Sequence, residues 1–326
     1  MIGLENFLPL MKPNYFNWLA AAAVVAGSIH LHAQTNDASA TNSASHGAGA
    51  VNLPANSNLP SLYLIGDSTV RNGRGRGDGG QWGWGDLLAP YFNTNQINVV
   101  NRALGGTSSR TYYRDQWPQV AAMLKPGDFV IMQFGHNDAS PINEDVVNAR
   151  TRSRGTIKGS GDGSQDITNI LTKKFETVHS FGWYEKQMIQ EARAKGATPM
   201  VCSLIPRNNW RNGRAARNKG DYAGWAGEAA ESEQTPFLDI NEIIARHYDQ
   251  LGQEKVNALF VAGAGPHTSL AGAETNAFCV ISALKGLKED PLVKYFSQKA
   301  SGVPPADLSQ PPPQPAAAPP DKTTKE

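Results

Sequence analysis

Cysteine is nearly absent: Cys202 and Cys279 are the only two in 326 residues. That excludes a disulfide-built scaffold. Each thiol lies in an apolar run, PMVCSLI and NAFCVIS, which reads as core, so two buried free thiols are expected. An excess of either charge is also missing. Thirty Lys and Arg stand against 29 Asp and Glu, a net charge of +1. Nothing in that balance favours nucleic acid or an anionic membrane surface as a partner. The stretch RNGRGRGDGGQWGWG (71–85) concentrates three arginines among glycines but lacks the terminal Lys-Ser/Thr of a phosphate-cradling loop. It reads as a surface loop. Hydrophobic content of 40% and charged content of 18% are those of an ordinary globular chain.

The two ends lack any period that could build a core. After Lys12 an apolar run, FNWLAAAAVVAGSIHLHAQ (16–34), is short for a membrane span and is interrupted by His30. It reads as a secretory signal peptide (1–33) cut after Ala33. With no cysteine near the cut, the expectation is a secreted or periplasmic protein without a membrane anchor. Residues 34–58, rich in Ala, Ser, Asn and Gly, read as a flexible linker, and 299–326, Pro-rich, as an extended unpacked tail. The folded domain is then 59–298.

Inside it, apolar runs without polar alternation read as buried strands: SLYLIG (61–66), INVVNRA (97–103), DFVIMQFG (128–135), TPMVCSLIP (198–206) and TPFLDI (235–240). Between and after them lie helical candidates at 81–92, 111–125, 181–196, 221–233, 241–252 and 269–288. This alternation predicts an α/β fold with a parallel sheet covered on both faces. Ligands gather at the carboxyl ends of such strands, which directs attention to the loops there. Residues 141–180 form a long polar insertion, of a length that is usually functional or mobile.

Four loops carry polar residues suited to chemistry. Gly66-Asp67-Ser68-Thr69 ends the first strand, and Ser68 serves there either as a hydroxyl in the crevice or as a helix cap. Gly105-Gly106 follows the second strand and permits a turn with exposed backbone N–H groups. His136-Asn137-Asp138 follows the third, and His267 stands in the small-residue loop VAGAGPHTS before the last helix. Ester hydrolysis needs a nucleophile, a base and donors for an oxyanion. Ser68 can supply the first and His267 the second. The backbone of Ser68 and Gly106 and the amide of Asn137 can supply the third.

These blocks, LIGDST, NRALGGTSSR, QFGHND and PHTSLAGAE, match in order those of the SGNH (GDSL-type) hydrolases. The sequence most resembles the rhamnogalacturonan acetylesterase-like carbohydrate esterases (carbohydrate esterase family 12), over residues 61 to 287. The resemblance implies a flavodoxin-like three-layer α/β/α sandwich with a five-stranded parallel sheet. It implies Ser68 as nucleophile, Gly106 and Asn137 as oxyanion partners and His267 as base, with no metal and no cofactor. The partner it implies is an acetylated polysaccharide, with pectic rhamnogalacturonan favoured. A lipase or thioesterase, and a carbohydrate-binding relative with little catalysis, are the alternatives. Trp84, Arg110 and His136 are candidate substrate contacts, Arg110 either for a pectic carboxylate or as a brace for its loop.

One feature of that family is absent. Its aspartate three residues before the histidine falls on Ala264, and no carboxylate lies between Val261 and His267. In a triad that acid orients the imidazole and stabilises the imidazolium, an effect on the order of 10⁴ in rate. A loop carbonyl in place of the acid, another carboxylate (Asp138, Asp239 or Glu274), or a poorly active or inactive relative that still binds sugar are the open readings.

Overall fold

The computed structural model describes residues 52–144 and 153–316. The segment expected to be a signal peptide (1–33) and most of the expected linker lie outside the described residues. The strands are β1 (Ser61–Gly66), β2 (Asn98–Asn101), β3 (Phe129–Gln133), β4 (Ser164–Thr168), β5 (Phe175–His179), β6 (Thr198–Cys202), β7 (Trp210–Arg211), β8 (Arg214–Ala215) and β9 (Phe237–Leu238). The helices are α1 (Ser109–Asp115), α2 (Trp117–Ala121), α3 (Phe181–Ala194), α4 (Tyr222–Ser232), α5 (Ile240–Leu251), α6 (Gln253–Asn257), α7 (Leu270–Lys285) and α8 (Gln298–Ser301).

Five strands form one parallel sheet in the order β2-β1-β3-β6-β9. That is the flavodoxin-like order, with its switch point between β1 and β3. Successive residues of a strand face opposite sides, and β1 shows the consequence. Leu62 and Leu64 join a core with α5, α7 and the 84–92 segment. Tyr63 and Ile65 join a second core with α1, α2, α3 and α4. Every residue of β1 and β3 is buried, which explains their unbroken apolar sequences. The three-layer sandwich and its five-stranded sheet are therefore as expected. Cys202 and Cys279 are free, buried thiols.

The structure corrects four expectations. Residues 81–92 are not a helix but two short 3₁₀ turns, Trp84–Leu87 and Ala89–Tyr91. A Cβ on Gly83 would stand 2.3 Å from the Val70 backbone, so the segment lies flat against the loop after β1. Its N–H groups go there, Trp84 to the Thr69 carbonyl and Gly85 to that of Val70, not up a helix. The single helix expected at 111–125 breaks at Gln116, where Pro118 can serve only in the first turn of a new helix. The linker ends before Asn52, because Asn52 and Asn56 bond to Asn101 and Asn98 at the edge of β2. Residues 299–316 are not an unpacked tail. Val303 is buried, and Arg246 and Arg214 donate to the carbonyls of Gln310 and Pro313. Residues 317–326 lie outside the described residues. Part of the 141–180 insertion is ordered as well, as the antiparallel β4–β5 hairpin.

Glu185, on α3, is buried to 1% exposure, and its Oε2 has no hydrogen-bond partner among the described residues. Burial, helped by the charge of Asp138, raises its pKa well above the ordinary 4.5. A carboxyl group protonated in the fold stabilises fully below pH 4.5 and loses that contribution as pH rises through its folded value. The loss runs at about 1.4 kcal/mol per pH unit over that interval. Glu185→Gln is expected to leave the thermal midpoint little changed at pH 4.5 and to raise it at pH 8. Thermal unfolding at the two pH values reads the difference.

Candidate active site

The loops after β1, β2 and β3 and the loop before α7 converge at the carboxyl edge of the sheet. Gly66 ends β1 at φ +156°, where a Cβ would sit 2.5 Å from the Gln133 carbonyl oxygen. Only glycine lets β1 approach β3 this closely. Asp67 then turns the chain. Its Oδ1 accepts from the backbone N–H and the hydroxyl of Thr69 at 2.8 and 2.7 Å. Gln133, the last residue of β3, clamps the turn from below. It donates to the Thr69 hydroxyl and accepts from the Trp84 indole N–H at 2.8 Å. Ser68 is thereby held on a fixed turn, half-buried.

The His267 loop is anchored independently. The Val261 N–H donates to the His267 carbonyl, and Trp82 and Thr268 pair through both backbone and side chain. Ser269 caps α7 by accepting from the Gly272 N–H. The two loops bring Ser68 Oγ to 2.8 Å from His267 Nε2. The Ala264 backbone lies beside the imidazole and favours its charged form, as a nearby carbonyl does. With Nε2 facing the hydroxyl, Nδ1 is the nitrogen left to carry the ring proton toward that backbone. This tautomer leaves Nε2 as an acceptor, so Ser68 donates its proton toward the ring.

Of the open readings for the orienting group, the candidate carboxylates are placed elsewhere, and the Ala264 backbone is what lies beside the ring. Asp138 is occupied elsewhere, accepting from the Ser109 N–H and hydroxyl and from the Gly135 N–H. Asp239 caps α5 and accepts from Ser203. Glu274 lines a separate cavity with Tyr91 and His247.

Gly106 adopts φ +86°, and Gly105 lies over the serine, where its Cβ would be 3.5 Å from that of Ser68. Thr107 staples this loop to β1 through the Gly66 and Leu104 carbonyls. Asn137 donates one amide N–H to the Thr107 carbonyl at 2.8 Å. Its second N–H is left for a ligand. Ser68, Gly106, Asn137 and His267 are thus brought to one edge.

The three candidate substrate contacts fare differently. Trp84 is fully buried with its N–H on Gln133, so it is a core residue and not a sugar platform. Arg110 is also fully buried. It holds Glu176 in a two-point ion pair at 2.7 and 2.9 Å and donates to the Ile142 and Gly155 carbonyls. It braces the insertion and cannot reach a substrate carboxylate. Burial opposes ionisation of Glu176, but Arg110, Asn169 and Arg114 hold it down to about 2. His136 does stand beside the site, 8% exposed, with both ring nitrogens outside hydrogen-bond geometry to any described residue, although the Ile205 backbone lies close by. Burial, with Arg207 and His267 adding to it, pushes its pKa down to about 3, so the ring is neutral.

Arg154 is a contributor the sequence did not disclose. It donates to the Gly106 carbonyl at 2.7 Å and to the Ser140 hydroxyl, tying the insertion to the Gly106 loop. It lies 48 residues from its partner, and no spacing signals that contact.

The sequence matches the GDSL-like lipase/acylhydrolase family over residues 64–273. It is 29% identical over 224 residues to the rhamnogalacturonan acetylesterase of Emericella nidulans, covering 68% of this chain and 84% of that one. It is 30% identical over 234 residues to the probable rhamnogalacturonan acetylesterase YesY of Bacillus subtilis, covering 70% and 92%. Its fold matches the crystal structure of YxiM from Bacillus subtilis with a TM-score of 0.54 at 24% identity, over 70% of this chain and 56% of that chain.

Proposed function

The chain belongs to the GDSL-like lipase/acylhydrolase family, and on that premise we propose that it is an exported serine esterase that removes O-acetyl groups from pectic rhamnogalacturonan. The observation that carries this reading is the 2.8 Å contact between Ser68 Oγ and His267 Nε2, beside the Gly106 loop and the Asn137 amide. The names of the two relatives support the polysaccharide; the apolar run at 16–34 supports export.

His267 Nε2 takes the hydroxyl proton as Ser68 Oγ bonds to the acetyl carbonyl carbon. The carbonyl π pair moves to oxygen, where backbone N–H groups of Ser68 and Gly106 and the spare Asn137 N–H meet it. Collapse breaks the bond to the sugar oxygen, which leaves with the proton from His267. Water then gives a proton to His267, attacks the acetyl-serine, and acetic acid departs as Ser68 regains its hydrogen.

The base must be neutral. Burial, partly opposed by the Ala264 carbonyl and reinforced by the positive charge of Arg207, lowers the His267 pKa below its ordinary 6.5. The acid limb of kcat/KM on a neutral activated acetate ester is therefore expected below pH 6.5. A limb above 7 would contradict this environment.

The test of substrate is acetate release from acetylated rhamnogalacturonan and from acetylated xylan, each compared with Ser68→Ala. Release that is faster from the pectic polymer and lost in the variant is the expected result. Preference for xylan would overturn the pectic assignment; release surviving in Ser68→Ala would overturn the mechanism.

A further inference from the structure

Arg207 follows β6 at the same edge of the sheet as the four loops. Its charge acts on three groups there: Asp67 beside the nucleophile, His136 after β3, and His267 itself. One guanidinium nitrogen lies 3.9 Å from where a Cβ on Gly265 would stand, in the loop that carries the histidine. The residue is half-buried, and its side chain makes no hydrogen bond and no ion pair with any described residue.

Other arginines of this region are committed. Arg110 and Arg114 hold Glu176, Arg214 and Arg217 hold Asp249, and Arg154 holds the Gly106 carbonyl. Asp67, on which the Arg207 charge acts, is fully buried; its Oδ1 accepts from Thr69, and its Oδ2 has no hydrogen-bond partner among the described residues. Against this cation stands His136, nine-tenths buried, neutral and also without a hydrogen-bond partner. A guanidinium and a neutral imidazole, both unengaged beside a nucleophilic serine, form a donor set for an anion. In the loop that carries His267, Gly263 and Gly265 both adopt positive φ, and a Cβ on Gly263 would meet nothing within 4 Å.

We propose that Arg207, with His136 beside it, binds the carboxylate of an acidic sugar in the acetylated polymer and so selects acetyl groups carried on or next to a uronate residue. This rests on the esterase reading above. It has a second consequence at the histidine. The chain lacks the acid that a triad would place at position 264, and Arg207 burdens an imidazolium at His267. A bound carboxylate neutralises that burden, so an acidic substrate brings the negative charge that the protein does not supply. The groups facing His267 are then Ser68 from the loop after β1, His136 from the loop after β3, Arg207 from the loop after β6 and the Ala264 backbone from its own loop.

The experiment compares acetylated rhamnogalacturonan oligosaccharides with free carboxylates against the same oligosaccharides methyl-esterified. Wild type, Arg207→Gln and Arg207→Lys are measured by acetate release, with Ser68→Ala as the blank. The ratio of kcat/KM on the free acid to that on the methyl ester is expected to fall about 10- to 100-fold in Arg207→Gln, the worth of one charged hydrogen-bonded contact. Arg207→Lys should retain part of it. For wild type, the acid limb of kcat on the free-acid substrate should lie at higher pH than on the methyl ester, and Arg207→Gln should abolish that gap. Equal losses on both substrates would make Arg207 a structural residue and overturn the proposal, as would an unchanged ratio. If wild type releases acetate from neither substrate nor from a simple activated ester, the esterase reading itself fails, a result distinct from any of these.

Discussion

His267→Ala is expected to lower kcat for acetate release by about 10⁴-fold or more, as removal of the base does in serine hydrolases. The protein should stay folded, because among the described residues the ring's side-chain hydrogen bond is to Ser68, and the loop is held by backbone bonds at Val261 and by the Trp82–Thr268 pair. Circular dichroism and a thermal midpoint near that of wild type check the fold, while acetate release checks the rate. The size of the effect is informative because no carboxylate backs the imidazole. A dyad oriented by a backbone carbonyl still depends wholly on the ring for proton transfer. A tenfold loss or less would mean that another group accepts the serine proton.

Arg110→Ala is expected to destabilise the fold by about 3–5 kcal/mol, the cost of breaking a buried ion pair from one side. The change strips Glu176 of its two-point partner and leaves the Ile142 and Gly155 carbonyls without their donor. Arg110→Lys should fall between, since an ammonium keeps the charge but cannot span two carboxylate oxygens and two carbonyls in one plane. Urea unfolding of the three proteins measures this. A raised KM with unchanged stability in Arg110→Ala would restore the residue to the substrate and refute the structural assignment.

The pattern of what could be read from sequence has a physical basis. The five strands were legible because a parallel strand buried on both faces needs an unbroken apolar run, and β1 and β3 have one. The four site loops were legible because each follows a strand or precedes a helix at the edge where such sheets bind ligands. Trp84 was misread because its indole finds Gln133, 49 residues away, and nothing local announces that bond. The sequence does not decide between the two roles of Arg110 for the same reason, its partner lying 66 residues on at Glu176. The helix expected at 81–92 failed because backbone packing against Val70 outweighed an apolar spacing that fits a helix. The group behind His267 could not be read at all, because any residue in that loop carries a carbonyl and only the turn through Gly263 and Gly265 decides which one faces the ring.

The central claim is that Ser68 is an activated nucleophile and that His267, backed by a carbonyl, activates it. Incubation of the intact protein with a serine-directed fluorophosphonate, followed by peptide mass mapping, tests this directly. One adduct is expected, on Ser68, forming faster as pH rises through the His267 titration and not forming in His267→Ala. An unlabelled Ser68, or labelling at equal rate without His267, would contradict it.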